Sequence, residues 1–297
     1  MNEAALRTAG VGCRGEGLWG AAWRRLRGNR AAVFAVAMLA AVVVAAVLGP
    51  WASPHDVESV DWSLSPLASP PSLANGHWFG TDSNGRDLFA RVWSGTRVSL
   101  LVALLASTVS LLIGVAWGAT AGYLGGRVDE WMMRFVDVLY ALPYMFFVIV
   151  LTVVFGRSLW LVFIAIGAVG WLTMARIVRG QALALRSRGF VDAAIALGLP
   201  AHRIIARHIV PNLLGTVVVY ATLTVPQLIL FESFLSFLGL GVQEPLTSLG
   251  RLVAEGALGM ERAPWQLLFP CAVLASILLA LNFLGDGLRD ALDPRVS

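Results

Sequence analysis

An all-α polytopic membrane protein is the fold class this sequence predicts, and three observations carry the prediction. The 297-residue chain is 58% apolar and only 13% charged, against roughly 45–50% and about 25% in soluble domains. Its mean hydropathy is +0.75. Runs free of Asp, Glu and Arg recur along it at residues 31–48, 98–117, 138–155, 159–175, 212–231 and 263–285. Each is near the ~20 apolar residues that cross a ~30 Å hydrocarbon core. Together these exclude a disordered chain, a disulfide scaffold and a soluble enzyme.

The elements follow in order. Residues 1–30 form a basic N-terminal segment ending in Arg24, Arg25, Arg27 and Arg30. Residues 31–48 are wholly apolar and longer than the 7–15 residues of a signal-peptide core, so they read as an uncleaved first span. Residues 49–96 are a long loop in which Asp56, Glu58, Asp61, Asp82 and Asp87 outweigh Arg86 and Arg91. Within it, Leu88, Phe89, Val92 and Trp93 share a helical face, which predicts a helix lying in the membrane interface. Residues 97–288 make a five-helix core, and 289–297 a tail. With the N-terminus inside, sixteen of the 22 basic residues fall on the cytoplasmic side, at 1–30, 127–134, 176–207 and 289–295. The positive-inside rule therefore puts both termini in the cytoplasm and 49–96 outside. Trp51, Trp62, Trp78 and Trp93 then fall at the outer interface, where an aromatic belt or a partner surface would place them.

All 22 basic residues are Arg; there is no Lys. ATP hydrolysis by a P-loop and pyridoxal chemistry are thereby excluded in their usual forms. The net charge of +4 is too small and dispersed for nucleic acid. Cys13 and Cys271 have no metal-type spacing and are not expected to pair, and His55, His77, His202 and His208 show no metal pattern. No His-Glu-x-x-His or Gly-x-Ser-x-Gly supports a membrane enzyme.

Residues 176–211 are a cytoplasmic loop with six Arg against Asp192. A short helix is expected from Gly189, with Phe190 beside its start and Asp192 in its first turn, where a carboxylate suits the helix dipole. Leu197 and Gly198 end it, Gly198 as a cap. Pro200 opens a second short helix through Arg203 and His208, and Pro211 marks its end or a kink. Ala193 and Ala194 offer a small surface. Such a bent hairpin suits insertion into another protein's groove, or it is an amphipathic connector lying on the headgroups.

Glu232 closes the fifth span, and an ionisable group near the membrane is a functional candidate. Ser233, Ser236, Gly239 and Gly241 follow in an apolar, glycine-ended stretch expected to be non-helical and re-entrant, within an outer segment at 232–262. Pro143, Pro226 and Pro270 can each kink a span. Asp137 is expected to pair with a nearby Arg such as Arg134.

Asp192-Ala193-Ala194, Gly198 and Ile209-Val210-Pro211 together resemble the EAA loop of bacterial ABC importer permeases, with Asp192 where the family usually has Glu. His77 to Asp87, Gly122 to Gly126, Met174 to Gln181, Glu232 to Gly241 and Gly285 to Pro294 are similar to motifs of the C-type permease of peptide importers, most closely the oligopeptide version. The resemblance covers residues 28 to 295. It implies the type I importer permease fold in the bacterial inner membrane. It also implies a second homologous permease, two cytoplasmic ABC ATPases that hold the ATP and Mg²⁺, and a periplasmic or lipid-anchored binding protein that delivers peptide. This chain would bind no cofactor. The EAA loop would be the coupling helix, and 232–241 a scoop under the outer mouth. Dipeptides, glutathione or nickel chelates are the alternative cargo; a passive channel would need no docking loop.

Overall fold

The computed structural model describes residues 18–62, 68–156 and 159–292. The ends of the N-terminal segment and of the tail, residues 1–17 and 293–297, lie outside the described residues, as does Arg157. Among the described residues there is no β-strand, only three isolated bridges within residues 60–87.

Helix α1 (Leu18–Gly28) leads into α2 (Arg30–Ala52) through Asn29, whose side chain accepts from the backbone N–H of Ala31 and Ala32 at 3.0 and 3.3 Å. Two orphan donors of the new helix are thereby satisfied. After the loop comes α3 (Leu88–Leu124), 37 residues and about 55 Å long. Then follow α4 (Gly126–Ala141), α5 (Tyr144–Phe155) and α6 (Leu159–Arg186). The hairpin is α7 (Gly189–Ala196) and α8 (Ala201–Ile204), joined by a π turn at Ile205–Ile209 to α9 (Val210–Phe237). Helices α10 (Leu249–Leu258) and α11 (Trp265–Leu292) complete the chain.

Among the described residues, four helical runs are long and apolar enough to cross a membrane: Arg30–Ala52, Leu88–Leu124, Ala201–Phe237 and Trp265–Leu292. The span expected at 138–155, with a kink at Pro143, is instead broken between α4 and α5, and the two arms meet at 81°. Pro143 is the cause. It lacks an N–H and drives Leu142 to φ −73°, ψ 133°, outside the helical region. Pro226 and Pro270 sit inside continuous helices. The expected fourth span lies in α6, which runs on to Arg186, so the loop expected from 176 is helix for its first eleven residues.

Packing explains the long pair α3 and α6. Gly114, Gly118 and Gly122 recur every four residues and let the helices close. A Cβ at Gly114 would lie 2.6 Å from Met174 Cβ, and one at Gly122 would lie 2.6 Å from the Arg179 carbonyl. This is the small-residue stripe by which membrane helices approach. One apolar core, with Leu88, Val92, Leu228, Leu235, Leu249 and Ile277, fills the end that carries residues 53–87. Another, with Tyr123, Val178, Val191, Ile204, Ile209 and Leu213, fills the end that carries the hairpin. They are called the outer and inner ends below, for the side expected of each.

One expectation is corrected, and in another the partner differs from the example given. Residues 87–93 form no separate interfacial helix: they open α3, with Leu88, Ala90 and Val92 buried under the loop and α10. Asp137 accepts from Arg176 at 2.7 Å, while Arg134 pairs with Glu130, its i−4 neighbour.

Candidate functional site

At the inner end, the hairpin is built by backbone capping. Gly198, at φ 74°, lets the chain reverse after α7. Its N–H donates to Ile195 O at 2.9 Å, and Leu199 N–H donates to Ala194 O at 3.2 Å. These are the two bonds of a Schellman motif, and φ near +74° is cheap only for glycine. Pro200 caps α8. Pro211 then falls at the start of α9 rather than at a helix end. The π turn explains how: Val210 N–H reaches back to Ile205 O, which opens the backbone where the Pro211 ring would otherwise press on the preceding turn. Asn212 Nδ2 donates to the carbonyl of His208 at 2.7 Å.

The hairpin is anchored by Val191, Ala194, Ile204 and Ile209, all buried against α3, α6 and α9. Ala194 therefore does not share a free surface with Ala193, as the sequence suggested. Three residues from Val191 on a helix, it turns inward with Val191. Asp192, Ala193, Gly189, Arg203 and Pro211 are exposed, and His208 is half-buried. The tip is apolar and open: Phe190 is 41% exposed, Ile195 52% and Leu197 81%.

At the outer end, the stretch His77 to Asp87 folds into a hub. Asp87 caps α3, accepting from Ala90 N–H at 2.8 Å, and also accepts from Ser53 Oγ at 2.9 Å. His77 Nδ1 lies 2.9 Å from its other oxygen. Gly80, at φ 79°, makes a turn in which a Cβ would meet Trp265 Nε1 at 2.8 Å. Trp265 and Gln266 donate to Thr81 O at 3.3 and 3.0 Å, tying the loop to α11.

Six charges beside this hub alternate in a closed ring. Asp82 accepts from Arg86 at 2.8 Å; Arg86 donates to Glu244 at 3.2 Å; Glu244 also accepts from Arg251 at 3.2 Å. Arg251 donates to Glu255 at 2.9 Å, Glu255 accepts from Arg91 at 3.1 Å, and Arg91 returns to Asp82. The ring joins the loop, the first turn of α3, the segment after α9, and α10. The guanidinium of Arg86 holds the Glu244 carboxyl below its ordinary range, chiefly through their hydrogen bond. A cavity of about 640 Å³ opens beside the ring, lined by Glu58, Trp62, Asn84 and Arg86 among others. Composition had counted these residues only as loop charge. Their partners are ~160 residues apart in sequence, beyond any spacing rule.

The outer segment also departs from expectation. Residues 232–237 are not irregular backbone but the last turns of α9. Glu232, Ser233 and Ser236 are buried between α3, α9 and α10 rather than lining an opening. Gly239, at φ 74° and exposed, ends α9 in a second Schellman motif, and Gly241 is buried against Ser236. Beyond it α10 folds back onto α9, α11 and α3. A mostly apolar cavity of about 510 Å³ lies where α4 bends into α5, lined by Tyr140, Phe147, Trp171, Thr224, Gln227 and Phe231 among others. Among the described residues no cluster of His, Cys, Asp and Glu could hold a metal ion.

Residues 114–297 match the family described as the inner-membrane component of binding-protein-dependent transport systems. The chain belongs to that family. Residues 17–71 match a second description, the N-terminal transmembrane domain of oligopeptide transport permease C. The chain is 49% identical to the oligopeptide transport system permease protein OppC of Haemophilus influenzae, over 99% of this chain and 94% of that one. It is 51% identical to the Escherichia coli K12 OppC over 95% and 92%. It is 46% identical to the dipeptide transport system permease protein DppC of Bacillus subtilis over 93% and 85%. An inward-facing structure of the MetNI methionine ABC transporter superposes with a TM-score of 0.56 at 16% identity, covering 67% of this chain and 94% of that one. That likeness places this permease in the type I ABC importer fold. It is an integral inner-membrane permease, and its relatives are permease subunits rather than enzymes.

Proposed function

We propose that this permease is one half of the pore of an ATP-driven importer that carries oligopeptides into the cytoplasm. It pairs with a second homologous permease, two cytoplasmic ABC ATPases supply ATP hydrolysis and hold the Mg²⁺, and a periplasmic or lipid-anchored protein delivers the peptide. The single observation that carries this reading is the inner hairpin. It is rigidly capped and anchored, yet it leaves Phe190, Ile195 and Leu197 open to water. A fully exposed Leu forgoes about 1.5–3 kcal/mol of burial, so an apolar tip on a stiff hairpin is a surface awaiting a cleft. ATP closes the two ATPases, their clefts carry the hairpins of both permeases together, and the pore turns outward.

The chain crosses the membrane six times with both termini inside, α4 and α5 forming one bent crossing. The outer segment after α9 forms the gate at the mouth and aids release of peptide from the binding protein. The oligopeptide permeases at 49–51% identity support the cargo; the dipeptide permease at 46% defines the alternative.

Uptake of labelled peptides of graded length, in a strain lacking this gene and complemented by it, tests the cargo. Uptake of peptides longer than dipeptides is expected, and uptake confined to dipeptides would replace the reading. A Cys at Leu73 should react with an impermeant thiol reagent from outside, and one at Leu197 only after the inner face is opened. The reverse pattern would overturn the orientation.

A further inference from the structure

We infer that Glu232 is the positioning residue of the outer end: a buried carboxyl group that fastens the start of α10 to α3 and α9 through three serine hydroxyls, so that the outer gate and the pore helices move as one body. The inference rests on the permease reading for its functional consequence, and on geometry alone for the attachment.

Glu232 is wholly buried, about one and a half turns from the end of α9. Ser99 Oγ of α3 donates to its Oε2 at 2.8 Å, and Ser236 Oγ donates to its Oε1 at 2.7 Å. Neither hydroxyl is a terminus. Ser99 accepts from the backbone N–H of Leu249 at 3.1 Å. Ser236 accepts from Ser248 Oγ at 3.0 Å, and Ser248 accepts from the backbone N–H of Arg251 at 3.3 Å. Two directed chains therefore start at N–H groups in the first turn of α10 and end on the two oxygens of one carboxyl group. Each serine hydroxyl stands between two polar groups, and both oxygens of the Glu232 carboxyl group are taken up.

The arrangement solves two problems together. A buried carboxylate is costly unless paired and hydrogen-bonded. The start of a helix has orphan N–H groups and partial positive charge. The serines, each small and able to pass a hydrogen bond onward, connect one to the other where no side chain could reach directly. Packing at the joint is equally close. A Cβ on Gly250 would collide with the Ser233 backbone, and one on Gly95 would lie 3.1 Å from Ser248 C. The charge ring of Arg91, Glu255, Arg251 and Glu244 fixes α10 from its other side. The start of α10 thus has no slack against α3 and α9, so movement of those helices is transmitted to the segment that forms the gate.

The test uses the assembled importer with its binding protein in proteoliposomes, with Cys13 and Cys271 replaced by Ser. Spin labels at Leu258→Cys on α10 and Leu104→Cys on α3, both exposed, report the joint. Binding-protein-stimulated ATPase and peptide uptake report its consequence. One narrow distance is expected in the nucleotide-free, ATP-trapped and peptide-loaded states. Glu232→Gln keeps the volume but leaves one acceptor oxygen in place of two, so one of the chains must break. It should broaden the distance and lower uptake per ATP hydrolysed roughly fivefold, the size of effect expected when one buried hydrogen bond is lost. Ser248→Ala cuts one chain beyond its first hydroxyl and should lower it less, whereas Glu232→Asp, which keeps both carboxyl oxygens, should recover part of it. Wild-type distances and coupling in Glu232→Gln would show that the residue only fills space, and would overturn the inference. So would a wild-type distance that shifts between states. Absence of stimulated ATPase and uptake in the unmutated complex would instead strike the permease reading, and the distance measurement would still decide the attachment.

Discussion

The outer and inner ends of this permease are built on opposite principles. At the outer end the polar groups close on one another: Asp87 takes hydrogen bonds from Ala90, Ser53 and His77, and three carboxylates alternate with three guanidinium groups. At the inner end the hairpin satisfies its backbone with its own caps and leaves its apolar tip unmatched. Among the described residues, the first surface is closed within the chain but for four buried atoms without a hydrogen-bond partner, His77 Nε2, Trp93 Nε1, Ser233 Oγ and Thr247 Oγ1. The second is left open, as the proposed docking requires. Stability should therefore be lost most readily at the outer end, and function without stability at the inner one.

Arg91→Ala should give the largest effect. Arg91 is 3% exposed and faces Asp82, itself nearly buried. Removing Arg91 takes a buried guanidinium from both Asp82 and Glu255, though Arg86 and Arg251 stay paired with them, so the cost should approach but not reach the about 3–5 kcal/mol of a wholly broken buried pair. A large drop in the thermal unfolding midpoint of the detergent-solubilised permease is expected. An unchanged midpoint would mean that the ring is dispensable and the contrast between the ends false.

Gly198→Val should come next. Glycine at φ 74° has open space around it, so a Cβ meets nothing within 4 Å and the cost is conformational strain alone. That is roughly 1–2 kcal/mol, more for a β-branched residue. The permease should still insert, while uptake falls at least about tenfold and co-purification with the ATPases weakens, because the tip no longer holds its shape. Normal uptake would count against docking through the hairpin.

Leu197→Ala sharpens the same point. An exposed side chain outside a packed site changes stability by about 0.5 kcal/mol or less, yet a tip residue seated in a partner's cleft costs more than about 1 kcal/mol of binding when truncated. Unfolding should be unchanged and ATPase binding weaker. Equal, small effects on both would remove Leu197 from the interface.

What was legible in the sequence divides along the same line. Four of the six apolar runs fall in helices long and apolar enough to cross a membrane, and a fifth in the bent pair α4 and α5, because burial in lipid is written locally in composition. The hairpin was legible too, since Gly198, Pro200 and Pro211 act on their own backbone. The bend at Pro143 was expected as a kink and proved a break, because Leu142 is forced extended. The stripe Gly114, Gly118, Gly122 was readable by its spacing and was passed over. The outer end was not legible. Its logic lies in pairs such as Ser99 with Glu232 and Arg86 with Glu244, which are 133 and 158 residues apart. Glu232 looked like the end of a span and proved to be the middle of a joint.

The smallest effect expected tests the rim of the ring by pH. Glu244 lies outside the spanning helices, with its side chain about half exposed, and Arg86 holds its carboxyl below the ordinary value of 4.5. A carboxyl whose pKa is lower folded than unfolded stabilises the fold above the unfolded value. That contribution is lost as the pH falls through the folded one. Glu244→Gln should therefore lower the unfolding midpoint slightly at neutral pH, and the gap between variant and parent should close as the pH drops below about 4.5. Solvent screening keeps this gap far below that of Arg91→Ala. High salt should shrink it further, since exposed pairs are screened and buried ones much less so. A gap that persists unchanged at low pH would show that Glu244 contributes through packing rather than charge. The ring would then be a buried pair, Arg91 with Asp82, with an ordinary solvated rim.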